Sequence, residues 1–174
     1  MTGTVQTVKL KRIVLTGLFS ALIFVFTAYI HVPTGSGYTH AGDGLIYLAA
    51  CMLPTPYAVA AGAFGGALAD GLSGYPVWIP ATIVIKAVTA LFFSKNTDRI
   101  ICRRNLLAIV PSLAVCVIGY SVYEAVFIAG GFNIGALGAA FSQFPSYVIQ
   151  VAASTALFVA SGTALDKAGI KKKI

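Results

Sequence analysis

Eleven of the twelve Lys and Arg residues of this 174-residue chain fall in three short clusters, and the stretches between the clusters carry almost no charge. The clusters are Lys9, Lys11 and Arg12; Lys95, Arg99, Arg103 and Arg104; and Lys167, Lys171, Lys172 and Lys173, with Lys86 the one basic residue outside them. Hydrophobic residues make up 58% of the chain and charged ones 10%, against about 25% charged in an ordinary soluble domain. A soluble chain so poor in polar side chains could not cover the surface of its own core. The composition therefore predicts an all-α integral membrane protein. Basic residues near the ends of membrane helices stay on the cytoplasmic side, so an even number of spans separates each pair of clusters and both termini are cytoplasmic.

Helix breakers set the number of spans. The segments "HVPTGSG", "LPTP" and "GLSGYP" cut the sequence between the first two clusters into four apolar pieces, and "AGGFNIGALGAAFSQFP" joins a further two beyond the second cluster. The pattern predicts six transmembrane helices over residues 13–30, 42–53, 57–72, 79–93, 106–129 and 144–165, forming one transmembrane domain over 1–174. The second piece is shorter than the roughly 20 residues a span requires, so it is tilted at an interface, extended into the loop before it, or only partly spanning. The turns after helices one, three and five face outward under this topology, and they contain no Lys or Arg. Non-helical backbone at membrane depth must be buried in protein or line a cavity, which makes these turns the expected walls and lid of an outward-facing pocket. The basic start leads into an apolar run without a small-residue cleavage site, the pattern of a first span rather than of a cleaved signal peptide. Cys51, Cys102 and Cys116 are odd in number and lack metal-ligand spacing, and read as small apolar fillers.

Ionisable groups inside a span cost roughly 2.5 to 3.5 kcal/mol each, so the few present are site candidates. Lys86 lies mid-helix in "PATIVIKAVTALFF" and Glu124 in "IGYSVYEAVFIAG"; the two either pair with each other or meet the polar groups of a ligand. Asp43 follows "THAG" and is placed either to cap the start of helix two or to bind ligand. Asp70 sits at the outer end of helix three. On helix five, Tyr120, Tyr123, Glu124 and Phe127 share one face, and on helix six Gln143, Tyr147 and Gln150 do so. Aromatic faces beside a few directed polar groups suit a flat heterocycle that stacks and is oriented by hydrogen bonds. Helix three carries Ala58, Gly62, Gly66 and Asp70 at a spacing of four, beside Ala61, Gly65 and Ala69, which permits close helix approach. Helix one carries Gly17 and Ala21 in the same small-residue form. The motifs of nucleotide-binding loops, HExxH metalloproteases and GxSxG hydrolases are absent, so any energy source lies on another chain. His31 and His40 have no metal-ligand spacing.

The segments "GYTHAGD", "ALADGLSGYPVW" and "PATIVIKA", within residues 37–93, resemble in order and spacing the substrate-binding S components of energy-coupling factor (ECF) vitamin transporters, particularly the riboflavin-type and hydroxymethylpyrimidine-type group. The resemblance implies a six-helix bundle in a prokaryotic plasma membrane that captures a vitamin or precursor outside. It further implies a transmembrane coupling subunit and two cytoplasmic ATPases as partners. ATP is then bound by those ATPases, and no cofactor by this chain. The small residues of helix one would dock on the coupling subunit, here Gly17 and Ala21 with Ser20 adjacent. Carried onto this sequence, the pocket would comprise Tyr38, His40 and Asp43 in the first outer loop and Tyr75 and Trp78 in the gate after helix three. Lys86, Tyr123, Glu124, Asn133, Gln143, Tyr147 and Gln150 would line its deeper wall. The expected activity is capture and transport of a small aromatic heterocycle, pyridoxine-like or pyrimidine-like, without catalysis and without a nucleic-acid partner. Riboflavin is larger and needs more pocket. The alternatives are an intramembrane enzyme using Lys86 and Glu124 as base and acid, and a solitary carrier.

Overall fold

The computed structural model describes residues 2–34, 37–129 and 134–173. Helix α1 (Thr2–Ala28) starts well before the apolar run does, because the Lys and Arg of the first cluster propagate a helix almost as well as apolar residues. It stops ahead of "HVPT", where the residue before Pro33 is driven into extended backbone. That stretch is a correction to the sequence reading. Instead of an irregular loop, β1 (His31–Thr34) and β2 (Gly37–His40) form an antiparallel ribbon with His31 opposite His40 and Pro33 opposite Tyr38. Its Val, Thr and Tyr residues favour extended backbone, and a two-stranded ribbon has only edge positions, which tolerate a proline.

Helix α2 (Asp43–Met52) has ten residues, about 15 Å of helix against a hydrocarbon core of about 30 Å. Its shortness is explained by burial: every residue from Asp43 to Cys51 is buried, so α2 is an inner strut with no lipid face. A helix apolar all round belongs in such a place. Tyr47 stacks on Phe93 with ring centroids 4.5 Å apart and meets Phe158 edge-on, locking α2 to its neighbours.

Helix α3 (Thr55–Leu72) starts after Pro54, with Pro56 in its first turn where a missing N–H costs nothing. A 3₁₀ turn (Pro76–Trp78) leads into α4 (Ile79–Phe92). The short α5 (Arg103–Leu107) runs into α6 (Ile109–Tyr123), which continues as a π-helical turn over Glu124–Ile128. A short helix not anticipated from sequence, α7 (Ile134–Phe141), occupies the glycine-rich outer segment, and α8 (Phe144–Lys167) returns to the other end.

Residues of the three basic clusters meet: Arg12, Lys95 and Lys171 line one cleft with Pro54. There Asn105 binds Ile100 and Ser94 through backbone groups, and Asp166 accepts the Ile100 and Ile101 amides at 2.8 and 2.9 Å. Each long helix therefore runs from this basic end to the opposite one. Large apolar residues face outward on every peripheral helix, among them Phe64, Val84, Val110 and Ile149, each at least 60% exposed. Among the described residues three helices are long and apolar enough to cross a membrane by themselves, and the outward apolar belt is the surface that lipid covers.

The two small-residue rows of α3 serve two different neighbours. A Cβ on Gly65 would lie 2.7 Å from the Ser20 carbonyl oxygen and 2.8 Å from Ile23, so α1 rests directly on this row. A Cβ on Gly66 would lie 2.7 Å from Thr82 of α4. Ser20 donates its hydroxyl to the Ala61 carbonyl, at 3.3 Å. Gly17, in contrast, has open space around it, and Ala21 is exposed. Gly65→Ala is expected to cost about 1–2 kcal/mol net, the overpacking outweighing the gain in helix propensity. Gly17→Leu, with open space for its side chain and a better helix former in place of glycine, should not lower stability. Thermal unfolding of both variants in detergent checks the contrast, and equal midpoints would refute the close α1–α3 contact.

Candidate functional site

At the end away from the basic cleft, the bundle holds a pocket of about 430 Å³, part of it open to solvent. Its upper wall is the ribbon, through Thr34, Gly37, Tyr38 and His40. Trp78, Thr82 and Tyr120 form a second side, and Gln143, Tyr147 and Gln150 of α8 a third. Asp70 closes the ring from α3. The helices supply this geometry by spacing: Gln143, Tyr147 and Gln150 lie on one face of α8, and Thr82 sits one turn before Lys86 on α4.

Aromatic rings make the walls. Tyr120 and Tyr147 lie nearly parallel at 12° with centroids 5.9 Å apart, and Trp78 meets Tyr120 edge-on at 5.7 Å. The Tyr120 hydroxyl shares a hydrogen bond with Thr82, at 3.0 Å, which fixes the ring. On the ribbon, Tyr38 packs between His40 and Tyr75. The Tyr38 hydroxyl donates to Oδ1 of Asp70, and the Thr39 hydroxyl donates to the Ser146 carbonyl at 3.2 Å, so the ribbon is tied to both α3 and α8. His40 Nδ1 accepts the Gly42 amide at 3.1 Å. Burial pushes the His40 imidazole down to about 4, so the ring stays neutral near pH 7 and keeps its role as acceptor.

Below the pocket lies a buried ion pair. Lys86 Nζ is 2.7 Å from Asp43 Oδ1, and the two side chains are 2% and 4% exposed. Gln150 Nε2 donates to the other oxygen, Asp43 Oδ2, at 2.8 Å, so α2, α4 and α8 meet at one carboxylate. The Lys86 ammonium also lies 5.3 Å from the centre of the Tyr120 ring, under the pocket floor. Two expectations are corrected here. Lys86 does not pair with Glu124, because α2 begins deep in the bundle: Lys86 is seven residues into α4, about 10 Å from its start, and Asp43 opens α2 at that depth. Asp43 is not the cap of α2 either. Gly42 holds that position and the Asp43 side chain makes no capping bond, its carboxylate being taken by Lys86 and Gln150. It still sits in the first helical turn, where negative charge is favoured.

Glu124 stands at the rim, both of its oxygens accepting Gln143 Nε2 at 3.1 Å. With Lys86 and Glu124 committed to different partners, the acid and base proposed for an intramembrane enzyme are not brought together. Of the expected pocket residues, Tyr38, His40, Trp78, Gln143, Tyr147 and Gln150 line the cavity, while Asp43 and Lys86 lie beneath it. Tyr75 and Tyr123 belong to the gate, Tyr75 against Tyr38 and Tyr123 donating its hydroxyl to the Val77 carbonyl at 2.8 Å. Asn133 lies outside the described residues. Thr82 was not anticipated from sequence, and Asp70 and Tyr120, singled out there as an outer charge and as part of an aromatic face, were not assigned to the pocket. The signals were present: Asp70 continues the row Ala58, Gly62, Gly66 that packs on α4, and Tyr120 opens the aromatic face of α6.

The site thus combines an end without basic residues, a short inner helix and an aromatic pocket bordered by a ribbon. Residues 7–167 match the family described as ECF-type riboflavin transporter, S component. The chain belongs to this family. No curated protein matches it. As an ECF S component it is a multi-pass membrane protein and the substrate-binding subunit of a transporter, and the family is a transport component rather than an enzyme.

The ion pair generates a testable expectation. Lys86→Ala would leave the Asp43 carboxylate buried without a counter-charge, at a cost of about 3–5 kcal/mol. The double variant Lys86→Ala/Asp43→Ala should recover part of that loss. Thermal unfolding of the two variants in detergent measures both, and a Lys86→Ala midpoint equal to wild type would show that the pair does not support the fold.

Proposed function

We propose that the chain captures a small, water-soluble, single-ring aromatic heterocycle, pyridoxine-like or pyrimidine-like, from outside the cell for ATP-driven uptake. The observation that carries this reading is the pocket: Trp78, Tyr120 and Tyr147 offer ring faces, and His40, Asp70, Gln143 and Gln150 offer directed polar groups around them. Stacking surfaces with a few hydrogen-bonding groups are the means by which flat polar rings are held. The basic cleft at the other end supports an outward-facing pocket, since basic residues remain cytoplasmic. Riboflavin is the second reading, and the description of the matching family favours it.

The partners follow from the same reading: a transmembrane coupling subunit and two cytoplasmic ATPases that bind the ATP. Gly17 and Ala21, on the open face of α1, form the docking surface in this proposal. Ser20 is left out of it, because its hydroxyl is already turned onto α3.

Two experiments test these proposals. Mass spectrometry of the small molecule co-purifying with the protein, followed by calorimetric titration with pyridoxine, amino-hydroxymethylpyrimidine and riboflavin, should find a single-ring compound bound more tightly than riboflavin. The reverse order would favour the second reading. Gly17→Leu should lower co-purification of the coupling subunit several-fold while leaving ligand affinity unchanged, and normal co-purification would refute the docking surface.

A further inference from the structure

Asp70 lies in the last turn of α3, is 4% exposed, and lines the pocket. Its two carboxylate oxygens are used differently. Oδ1 accepts the Tyr38 hydroxyl from the ribbon. Oδ2 is buried and has no hydrogen bond of normal geometry among the described residues, although the Thr82 hydroxyl approaches the carboxylate. Three physical costs meet at this side chain. A carboxylate in the last turn of a helix faces the negative end of the helix dipole. Burial removes its hydration. An unfilled acceptor in a buried site forfeits a bond that water would have supplied.

Tethering the ribbon does not account for those costs. An asparagine would hold the Tyr38 hydroxyl through its amide oxygen, without the charge and without a second strong acceptor left empty. Among the described residues no cation touches it: Lys86 acts on Asp70 only across a distance, its ammonium being paired with Asp43. What a carboxylate has and an amide lacks is an acceptor at both oxygens, and the one left over belongs to a residue of the pocket wall.

We propose that Asp70 is the donor-reading residue of the pocket, its Oδ2 accepting a hydrogen bond from an N–H or O–H group on the edge of the bound heterocycle. The inference rests on the reading of the chain as a heterocycle-capturing subunit and narrows its substrate class. The cargo carries an amino, ring N–H or hydroxyl donor on the edge that meets α3. A ring with an anionic substituent on that edge is refused, because it would face a second negative charge with no donor between.

The test compares wild type, Asp70→Asn and Tyr38→Phe by calorimetric titration with pyridoxine, amino-hydroxymethylpyrimidine and riboflavin. For whichever compound binds wild type, Asp70→Asn should weaken binding at least ten-fold, because the amide oxygen keeps Tyr38 and the amide nitrogen turns a donor toward the ligand. Tyr38→Phe releases the ribbon but keeps the carboxylate, and should weaken binding less. The unfolding midpoint of ligand-free Asp70→Asn should equal or exceed that of wild type. Equal affinity of Asp70→Asn and wild type overturns the assignment while the proposed function stands. So does a loss in Tyr38→Phe as large as in Asp70→Asn, or a lowered midpoint in ligand-free Asp70→Asn, either of which would make the carboxylate a part of the fold. Failure of all three compounds to bind wild type overturns both the proposed function and this inference.

Discussion

The buried pair of Lys86 and Asp43 decides how the outer half of this bundle is built. A cation far along α4 has to be met by an anion at the same depth, and only a helix that begins inside the membrane can present one from its first turn. The brevity of α2 is thus a requirement of the pair. A full-length span in its place would carry Asp43 up to the surface and leave Lys86 alone. The same brevity leaves a recess above the start of α2, and the recess is where the pocket lies. Gln150 joins the pair from α8 and also lines that pocket, so the structural charge and the binding site share a residue.

A recess lined by polar backbone would be unstable next to lipid if it were left open to the side. The ribbon of β1 and β2 reduces this by pairing the backbone groups that face each other across it while bridging α3 and α8 through Tyr38 and Thr39. Its Tyr38 and His40 line the same pocket as Trp78 and the Tyr120–Tyr147 pair. The lid is therefore made of the same kind of surface as the walls, which is the condition for a flat ring to be held on more than one side.

Much of the architecture can be read from the order of residues, and the reason is electrostatic. The three basic clusters require an even number of spans between them and the helix breakers make the total six, and Arg12, Lys95 and Lys171 do converge on one cleft. The end of α3 at Leu72 and the start of α8 at Phe144 are marked by glycine and proline, which act locally. The site was less legible, because its partners are set by depth, and depth depends on where short helices start. Nothing near Lys86 in the sequence names Asp43 as its partner, whereas Glu124, the other lone charge on a long helix, looks equivalent on paper. The ribbon was hidden for a different reason. Gly, Pro and Thr suit a loop as well as a two-stranded ribbon, and only contacts to α3 and α8 separate the two.

The π-helical turn at the end of α6 has a bearing on how this fold tolerates change. Its amide of Ala129 bonds back to the carbonyl of Glu124, at 2.8 Å, one residue further than an α-helix would reach. One extra residue in a helix rotates everything beyond it by about 100°, so the turn sets which way the chain leaves α6 toward the glycine-rich crossing and α7. Losing a single residue between 124 and 128 would restore a regular helix locally and mis-aim the whole outer crossover. Length in this stretch is therefore under tighter constraint than side-chain identity: Phe127, at 69% exposure, holds its place through one ring contact, with Tyr123, whereas the count of residues around it aims the rest of the chain.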